Sequence, residues 1–262
     1  MHFPHLLPLT VLPFLPLLTS ALTTPHHNLL LLLPRGATPF DSSTTNIPPL
    51  SKETLEKAYP NSKTCANPPF PISECDTAAT AAPNIELSFI RYSLTSLGQK
   101  AAVLATLALE SANFKANINH SNNQPGQGTK AMLMFPNVVA FANSISELKG
   151  RVKELLGGGG GGEVGIPADV QRSVRALVLP GNTTYAAAAW YLVAGPGCPR
   201  DTMGRLSAGG WDGFVYYVTK CLHAGGGVVD VARKGKWCSA VAVLAPVGMD
   251  MPSQCNGVAL EK

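Results

Sequence analysis

The sequence predicts a mainly α-helical domain with a minor β component (α+β class), built around one buried helix and stapled by disulfide bonds. The first supporting observation is an apolar run from Ala101 to Leu109, in which Thr106 is the one polar residue. A helix that is apolar on all sides is a buried helix. The second is a series of further segments with helical patterns. The third is an even count of six cysteines, which favours disulfide bonds in an oxidising compartment.

The central helix has a clear start and a carboxylate at its end. Ser96 and Gln99 have the spacing of a capping box, so the helix starts there. Glu110 falls in the last turn, where apolar surroundings and the negative end of the helix dipole both raise a carboxyl pKa. Lys115 would lower that pKa if it folded over the site. A carboxylic acid that is partly protonated near neutral pH can serve as a general acid. The alternative, which spacing alone favours, is that Glu110 ends the helix and points into solvent.

The segment after Glu110 reads as a polar loop that runs to Pro136. Its amide, imidazole and hydroxyl side chains could line a ligand cleft, although an ordinary polar loop is the simpler interpretation of any single one. These candidates are Asn119, His120, Asn122, Gln124, Gln127 and Thr129. Asn119 also starts an N-glycosylation sequon, and we expect it to be bare because a glycan would obstruct the cleft.

The N-terminal part is interpreted as targeting sequence. Residues 1–21 have the apolar core and terminal small residues of a secretory signal peptide, and their prolines and short length argue against a membrane span. Residues 22–60 are predicted to be a pro-segment cut after Arg35, or a linker, with an unprocessed N-terminus as the alternative. The domain then covers 61–262, with a flexible glycine-rich insertion near 157–165. Secretion is the expected localisation.

Seven other helices are expected, and two of them carry orientation predictions. Ile85, Phe89 and Ile90 should face the core from the second helix, and Arg172 and Arg175 should lie on a solvated face. Trp190 is interpreted as core, and Gly195 as a C-terminal stop. The expected helices cover 51–59, 79–93, 137–144, 147–156, 167–177, 183–194 and 209–222.

The cysteines are expected to pair with their neighbours in sequence, although the sequence alone does not choose among the possible pairings. The expected pairs are Cys65 with Cys75, Cys198 with Cys221, and Cys238 with Cys255. No pair has C-x-x-C spacing, so neither a metal site nor a cofactor is predicted. Asn182 in PGNTT is the better glycosylation candidate. A net charge of +4 is too small to indicate a nucleic-acid partner, and a monomer without a membrane span is expected.

Four blocks in a fixed order carry a resemblance to a known family. They are ALESANFKANINH, PGQGTKAM, AAWYL with a nearby cysteine, and GWDGFVYYVTKC. Together they resemble a group of secreted fungal lysozyme-like proteins, over roughly Ile85 to Trp237. Glu110-Ser111-x-Phe114 also resembles the E-S-x-F element of soluble lytic transglycosylases and goose-type lysozymes. In two places the chain departs from that pattern: Leu133 stands where the family has Gln, and Lys130 where it has Gly.

The resemblance implies a lysozyme-like domain that cleaves a β-1,4 bond in an N-acetylated polysaccharide, with peptidoglycan first and chitin second. Glu110 would be the general acid. No Asp or Glu lies between Ser111 and Ser146, so a single-acid site is expected, although Asp201, Asp212 or Glu163 could approach in space. The substrate-contacting residues would be Ser111, Asn119, His120, Gln124, Gln127, Gly128, Thr129, Met132 and Tyr191.

Two alternatives remain open at this point. One is a secreted effector or carbohydrate-binding protein that kept the lysozyme-like fold without catalysis, which Leu133 favours because a substrate-contacting amide is absent. The other is a non-enzymatic, disulfide-stapled surface protein in which Glu110 is structural.

Overall fold

The computed structural model describes residues 47–120, 124–157, 165–208 and 210–259, and these residues form a mainly helical protein. The β component within this part is limited to two isolated bridges, Ile118 with Gly128 and Gly128 with Leu133. The described helices are α1 Lys52–Ala58, α2 Ala78–Arg91, α3 Leu97–Glu110, α4 Phe135–Ser144, α5 Ser146–Leu155, α6 Ala168–Ala176, α7 Gly181–Ala194, α8 Thr202–Ala208, α9 Gly210–Tyr216 and α10 Val231–Leu244.

Helix α3 is the centre of the fold, as its apolar run predicts. All residues from Leu97 to Ala108 are buried, and the helix packs mainly on α10 and also on α7, α8 and α9. The predicted capping box is present: Ser96 Oγ accepts from the Gln99 amide, and the Gln99 side chain accepts from the Ser96 amide. A Cβ at Gly98 would lie 1.9 Å from the Leu206 carbonyl oxygen, so only glycine lets α8 approach this closely.

The seven other predicted helices are present in order with small shifts of their ends, whereas α8 and α10 were not predicted. Ser51 caps α1 through the Thr54 amide, and α7 ends at Gly195. Gly195 is the C-cap, as predicted, and it keeps a negative φ. Glycine is needed there because a Cβ would lie 2.4 Å from the Tyr191 carbonyl oxygen.

Three details differ from the sequence-based predictions. Ile85 and Phe89 are buried, but Ile90 is 68% exposed because it lies about 100° further round α2 than Phe89. Arg175 is half-buried, with its Nη1 3.5 Å from the Gln127 carbonyl oxygen, whereas Arg172 is solvated as expected. The segment predicted as one helix over 209–222 is α9 followed by a π-helical turn, Tyr217–Cys221.

The folded part also begins earlier than expected. Leu50, Leu55 and Tyr59 are buried in the core, so the segment assigned as linker up to residue 60 contributes α1 to the domain. The segment just before α1 is held to α2 by the Leu50 amide, which donates to Glu86 Oε2 at 3.0 Å.

The three expected disulfide pairs are present: Cys65–Cys75, Cys198–Cys221 and Cys238–Cys255. No helix in the described ranges has the length and apolar character needed to cross a membrane. The predicted signal peptide, the Arg35 site, Asn122, Glu163 and most of the glycine run lie outside the described residues.

Candidate functional site

The chain reverses direction immediately after Glu110 in a turn of unusual handedness. Ala112, Asn113 and Phe114 have φ of 50°, 58° and 70°, which is the left-handed region that non-glycine residues rarely occupy. Ser111 supports this turn: its Oγ donates to the Leu107 carbonyl at 2.6 Å and accepts from the Phe114 amide at 2.9 Å. Phe114 is fully buried and contacts the rings of Tyr59 and Tyr185. The E-S-x-F element therefore fixes the backbone that presents Glu110.

Beneath this turn lies a group of linked polar side chains around the buried Lys130, which we call the closed network: Glu74, Asp76, His120, Lys130 and Tyr185. Lys130 is fully buried, and its Nζ donates to the carbonyls of Glu74 and Phe114 at 2.6 and 3.0 Å. The same Nζ lies 3.1 Å from Asp76 Oδ2, which also accepts from the Tyr185 hydroxyl at 2.8 Å. Every donor of the ammonium group therefore has an acceptor.

Glu74 ties the closed network to the polar loop. Its Oε2 accepts from the amides of Asn117 and Ile118 at 3.0 and 3.3 Å. Its Oε1 lies 2.9 Å from His120 Nε2, and the His120 ring stacks on Phe70 at a centroid distance of 4.7 Å. The predicted substrate contact His120 thus serves to anchor the loop.

A cleft of about 150 Å³ that is open to solvent lies beside Glu110. One wall is apolar, and polar groups face it from α3, α4, α7 and the π-helical turn. The lining residues are Thr106, Glu110, Ala131, Met132, Leu133, Met134, Asn137, Ala188, Tyr191, Tyr217, Leu222 and Ala224.

Glu110 reaches the cleft with a side chain that is 29% exposed. Its Oε1 accepts from Arg233 Nη2 at 3.1 Å, and Arg233 Nη1 pairs with Asp230. We call Glu110, Arg233 and Asp230 the charge row. Burial raises the pKa of Glu110; the Arg233 cation opposes this rise and the Asp230 anion adds to it, so the pKa stays above its usual value. Lys115, expected to supply the opposing cation, instead donates to the Thr64 carbonyl.

Hydroxyl groups accompany Glu110 in the cleft. Tyr217 OH lies 3.2 Å from Thr106 Oγ1, which also donates to the Ala102 carbonyl at 2.9 Å. Burial raises the pKa of Tyr217, and the nearby Glu110 carboxylate raises it further. Burial likewise raises the pKa of Tyr191, against the effect of a hydrogen bond with Asn137. Both phenols are therefore neutral hydrogen-bonding groups.

The structure brings together only part of the predicted site. Glu110, Met132 and Tyr191 line one cleft, and Leu133 lines it as well. Ser111 and Thr129 are fully buried, and Gly128 is buried between its bridge partners Ile118 and Leu133, so these three hold the backbone, and their contact with a substrate stays a prediction.

Two amide side chains of the loop, Asn119 and Gln127, make hydrogen bonds within the loop. Asn119 Nδ2 donates to Gln127 Oε1, and Gln127 Nε2 donates to the Met132 carbonyl at 2.9 Å. Gln124 is half-buried and does not line the cleft. The expectation that Glu110 faces Gln127 to Thr129 is therefore wrong in detail: Glu110 faces Met132 to Met134, which follow that segment in the chain.

Sequence reasoning missed Thr106, Asn137, Tyr217 and the two partners in the charge row. A signal existed for Thr106, because residues four apart share a helix face and Thr106 precedes Glu110 by four. Asp230 and Arg233 carry a local signal as well: the Asp230 side chain caps α10 by accepting from the Arg233 amide at 2.8 Å. Nothing local links them to Glu110. Asn182 is exposed at the start of α7, so its predicted glycosylation remains a prediction.

Comparison with known proteins yields one short match. Over 68 residues the chain is 44% identical to a Fusarium oxysporum (strain Fo5176) protein named bifunctional dioxygenase–epoxy alcohol synthase. The aligned stretch covers 26% of this chain and 5% of that protein. No protein-family profile matches the chain, and no solved structure matches it.

Proposed function

We propose that this protein is a secreted, lysozyme-like enzyme that cleaves β-1,4 bonds in N-acetylated cell-wall polysaccharide, peptidoglycan first and chitin second. The observation that supports this proposal is the placement of Glu110. It ends a buried helix, opens into a cleft of about 150 Å³, and has a carboxyl pKa above the usual value. Such a group can donate a proton near neutral pH. The three disulfides favour an oxidising compartment.

In the proposed reaction, Glu110 donates its proton to the bridging oxygen as the bond from that oxygen to the anomeric carbon breaks. No second Asp or Glu lines the cleft among the described residues. The cationic centre would therefore be stabilised by the substrate's own N-acetyl group, one of the known exceptions to the two-carboxylate rule. Water would then add to the anomeric carbon and return a proton to the Glu110 carboxylate. Tyr191, Tyr217 and Asn137 offer hydrogen bonds to sugar hydroxyls. The wall from Met132 to Met134 offers an apolar face to a sugar ring.

A second candidate is a lysozyme-like binding protein without turnover, either an effector or a carbohydrate binder. Two observations favour it. Arg233 holds the Glu110 carboxyl in an ion pair, which opposes protonation, and apolar Leu133 lines the cleft where the resembled family has an amide. The dioxygenase and epoxy alcohol synthase activities in the relative's name are not proposed here, because the match covers only 5% of that protein.

Turnover and binding on the same polymers separate the two candidates. We expect wild type to release soluble fragments from peptidoglycan or chitin, and Glu110→Gln to lose about 10²–10⁴-fold in turnover while still binding the polymer. The matched control is Glu154→Gln: Glu154 is also in the last turn of a helix and pairs with an arginine, Arg151, but is exposed. It should retain wild-type turnover.

The outcomes are distinct. Equal turnover in wild type and Glu110→Gln would contradict the role of Glu110. If wild type binds the polymer without turnover, the binding-protein candidate is supported. If wild type shows no binding and no turnover, both candidates are rejected.

A further inference from the structure

The charge row is built so that one guanidinium group spans two carboxylates. Arg233 Nη1 pairs with Asp230, and Nη2 lies 3.1 Å from Glu110 Oε1. Asp230 is itself fixed, because it is the N-cap of α10 and accepts from the Arg233 amide at 2.8 Å. The arginine side chain is 21% exposed, so part of it is shielded from solvent. Asp230, the N-cap residue of the helix that carries Arg233, therefore holds the guanidinium group in place.

We propose that Arg233, fixed by Asp230, is a positioning residue that holds Glu110 toward the cleft and tunes how readily it gives up its proton. This proposal rests on the proposed function. The geometry is asymmetric: Oε1 of Glu110 is occupied by Arg233, while Oε2 has no hydrogen-bond partner among the described residues. The second oxygen is left for a ligand in the cleft.

The groups that face Glu110 act in opposite directions. From α10, the Arg233 cation stabilises the carboxylate and the Asp230 anion destabilises it. From the π-helical turn and from α7, Tyr217 and Tyr191 contribute neutral phenols with raised pKa values. Burial raises the Glu110 pKa more than Arg233 lowers it. Arg233 and Asp230 thus shift the pKa of the Glu110 carboxyl in opposite directions, and each can be substituted separately.

The first experiment measures the Glu110 carboxyl directly and needs no substrate. A ¹³C NMR titration of the full chain follows Glu110, assigned by its loss in Glu110→Gln. We expect Arg233→Gln to raise the pKa above the wild-type value, since the stabilising cation is lost. We expect Asp230→Asn to lower it, since the like charge is lost while an asparagine can still cap the helix. The matched control is Arg205→Gln, which breaks an exposed Arg–Asp pair with Asp201 away from the cleft. It should leave the titration unchanged.

The second experiment measures turnover against pH. The acid must be protonated, so Arg233→Gln should move the alkaline limb of the kcat profile to higher pH. At the wild-type optimum its kcat should fall by up to about 10²-fold through misplacement, with little change in KM. Arg233→Lys should keep the alkaline limb near wild type but not restore kcat, because one ammonium cannot bridge two carboxylates as a guanidinium does.

These readouts separate the two proposals. If wild type shows no turnover but the NMR shifts appear with opposite signs, the enzymatic function fails and the control of Glu110 by Arg233 and Asp230 stands. If turnover is present but Arg233→Gln shifts Glu110 no more than Arg205→Gln does, the role of Arg233 is overturned alone. Should Arg233→Gln fail to fold, Arg233→Lys and Asp230→Asn carry the same test.

Discussion

Two clusters of linked side chains lie near the turn after Glu110, and they differ in how completely their charged groups are hydrogen-bonded. In the closed network, Lys130 is fully buried and its ammonium has two carbonyls and a carboxylate as acceptors. In the charge row, Glu110 and Arg233 keep 29% and 21% of their side chains exposed, and Glu110 has one hydrogen-bond partner. The Lys130 ammonium therefore has no donor left for a ligand. The charge row keeps an unused oxygen at a cleft.

This difference distinguishes a charged group that stabilises the fold from one that can take part in proton transfer. A buried charge with every hydrogen bond made stabilises one arrangement of the chain, and removing one member leaves the others unpaired. A partly buried charge with a shifted pKa and an open face is a candidate for proton transfer. Stability should therefore depend mainly on the closed network, and activity mainly on the charge row.

The largest stability effect should come from Lys130→Met. This change leaves Asp76 without its cation and the buried Glu74 carbonyl without a donor, so we expect a loss of about 3–5 kcal/mol in the free energy of unfolding. Denaturant unfolding measures it. Lys52→Met, which removes an exposed pair with Glu56, should lose less than about 0.5 kcal/mol. Equal losses in the two variants would show that the closed network is not structural.

Removal of the disulfide next to the closed network should have the next largest effect. Cys65 and Cys75 are separated by 10 residues, so loop-closure entropy predicts that replacing both by alanine loses about 3 kcal/mol. The Cys238–Cys255 pair is separated by 17 residues and should lose slightly more on entropy alone. A larger loss for Cys65 and Cys75 would show that the bridge also holds Glu74 in place, and a smaller one would argue against that coupling.

Two tyrosine hydroxyls allow a matched comparison of the closed network with the cleft beside the charge row. Tyr185 donates to the Asp76 carboxylate, whereas Tyr217 shares a neutral hydrogen bond with Thr106. Hydrogen bonds to charged groups contribute more, so Tyr185→Phe should lose about 1.5–3 kcal/mol and Tyr217→Phe about 0.5–1.5 kcal/mol. Thermal and denaturant unfolding of both variants test the order. A larger loss of stability for Tyr217→Phe than for Tyr185→Phe would contradict the distinction between the closed network and the cleft.

The smallest effect concerns the pH dependence of stability. The folded-state pKa of Glu110 lies above its ordinary value of 4.5. Its contribution is therefore fully present below the unfolded pKa and is lost as the pH rises through the folded pKa. Wild type should lose stability relative to Glu110→Gln as the pH rises from about 4 to neutral. Unfolding free energies at both pH values measure this change, with Glu154→Gln as the control. A constant difference would contradict the raised pKa.

Local signals in the sequence predicted the scaffold of the site well. The start of α3, its burial and the place of Glu110 depend on residues within one helix. Ser96, Gln99 and the apolar run therefore predicted them. The disulfide pairs were predicted by sequence proximity in the same way. The lysozyme-like identity of the fold stays a prediction.

The sequence alone could not predict which distant residues contact the residues of the site. Glu110 and Arg233 are 123 residues apart, and only the packing of α10 on α3 brings them together. Lys115 was closer in the chain and was therefore expected in that role, but the left-handed turn directs it to Thr64. Burial of Lys130 was also unexpected, because lysine is among the residues least often buried unless paired. Its partners come from a different segment, around the first disulfide.

The left-handed turn at Ala112–Phe114 bears on the order of events during folding. Non-glycine residues disfavour this conformation by roughly 1–2 kcal/mol each, so the turn needs the contacts of Ser111 and buried Phe114 before it is stable. We expect it to form after the transition state. In stopped-flow chevron measurements, Ala112→Gly should then slow unfolding and leave the folding rate unchanged, whereas faster folding would place the turn in the nucleus. The catalytic candidate would be the last part of the molecule to assemble and the first to come apart.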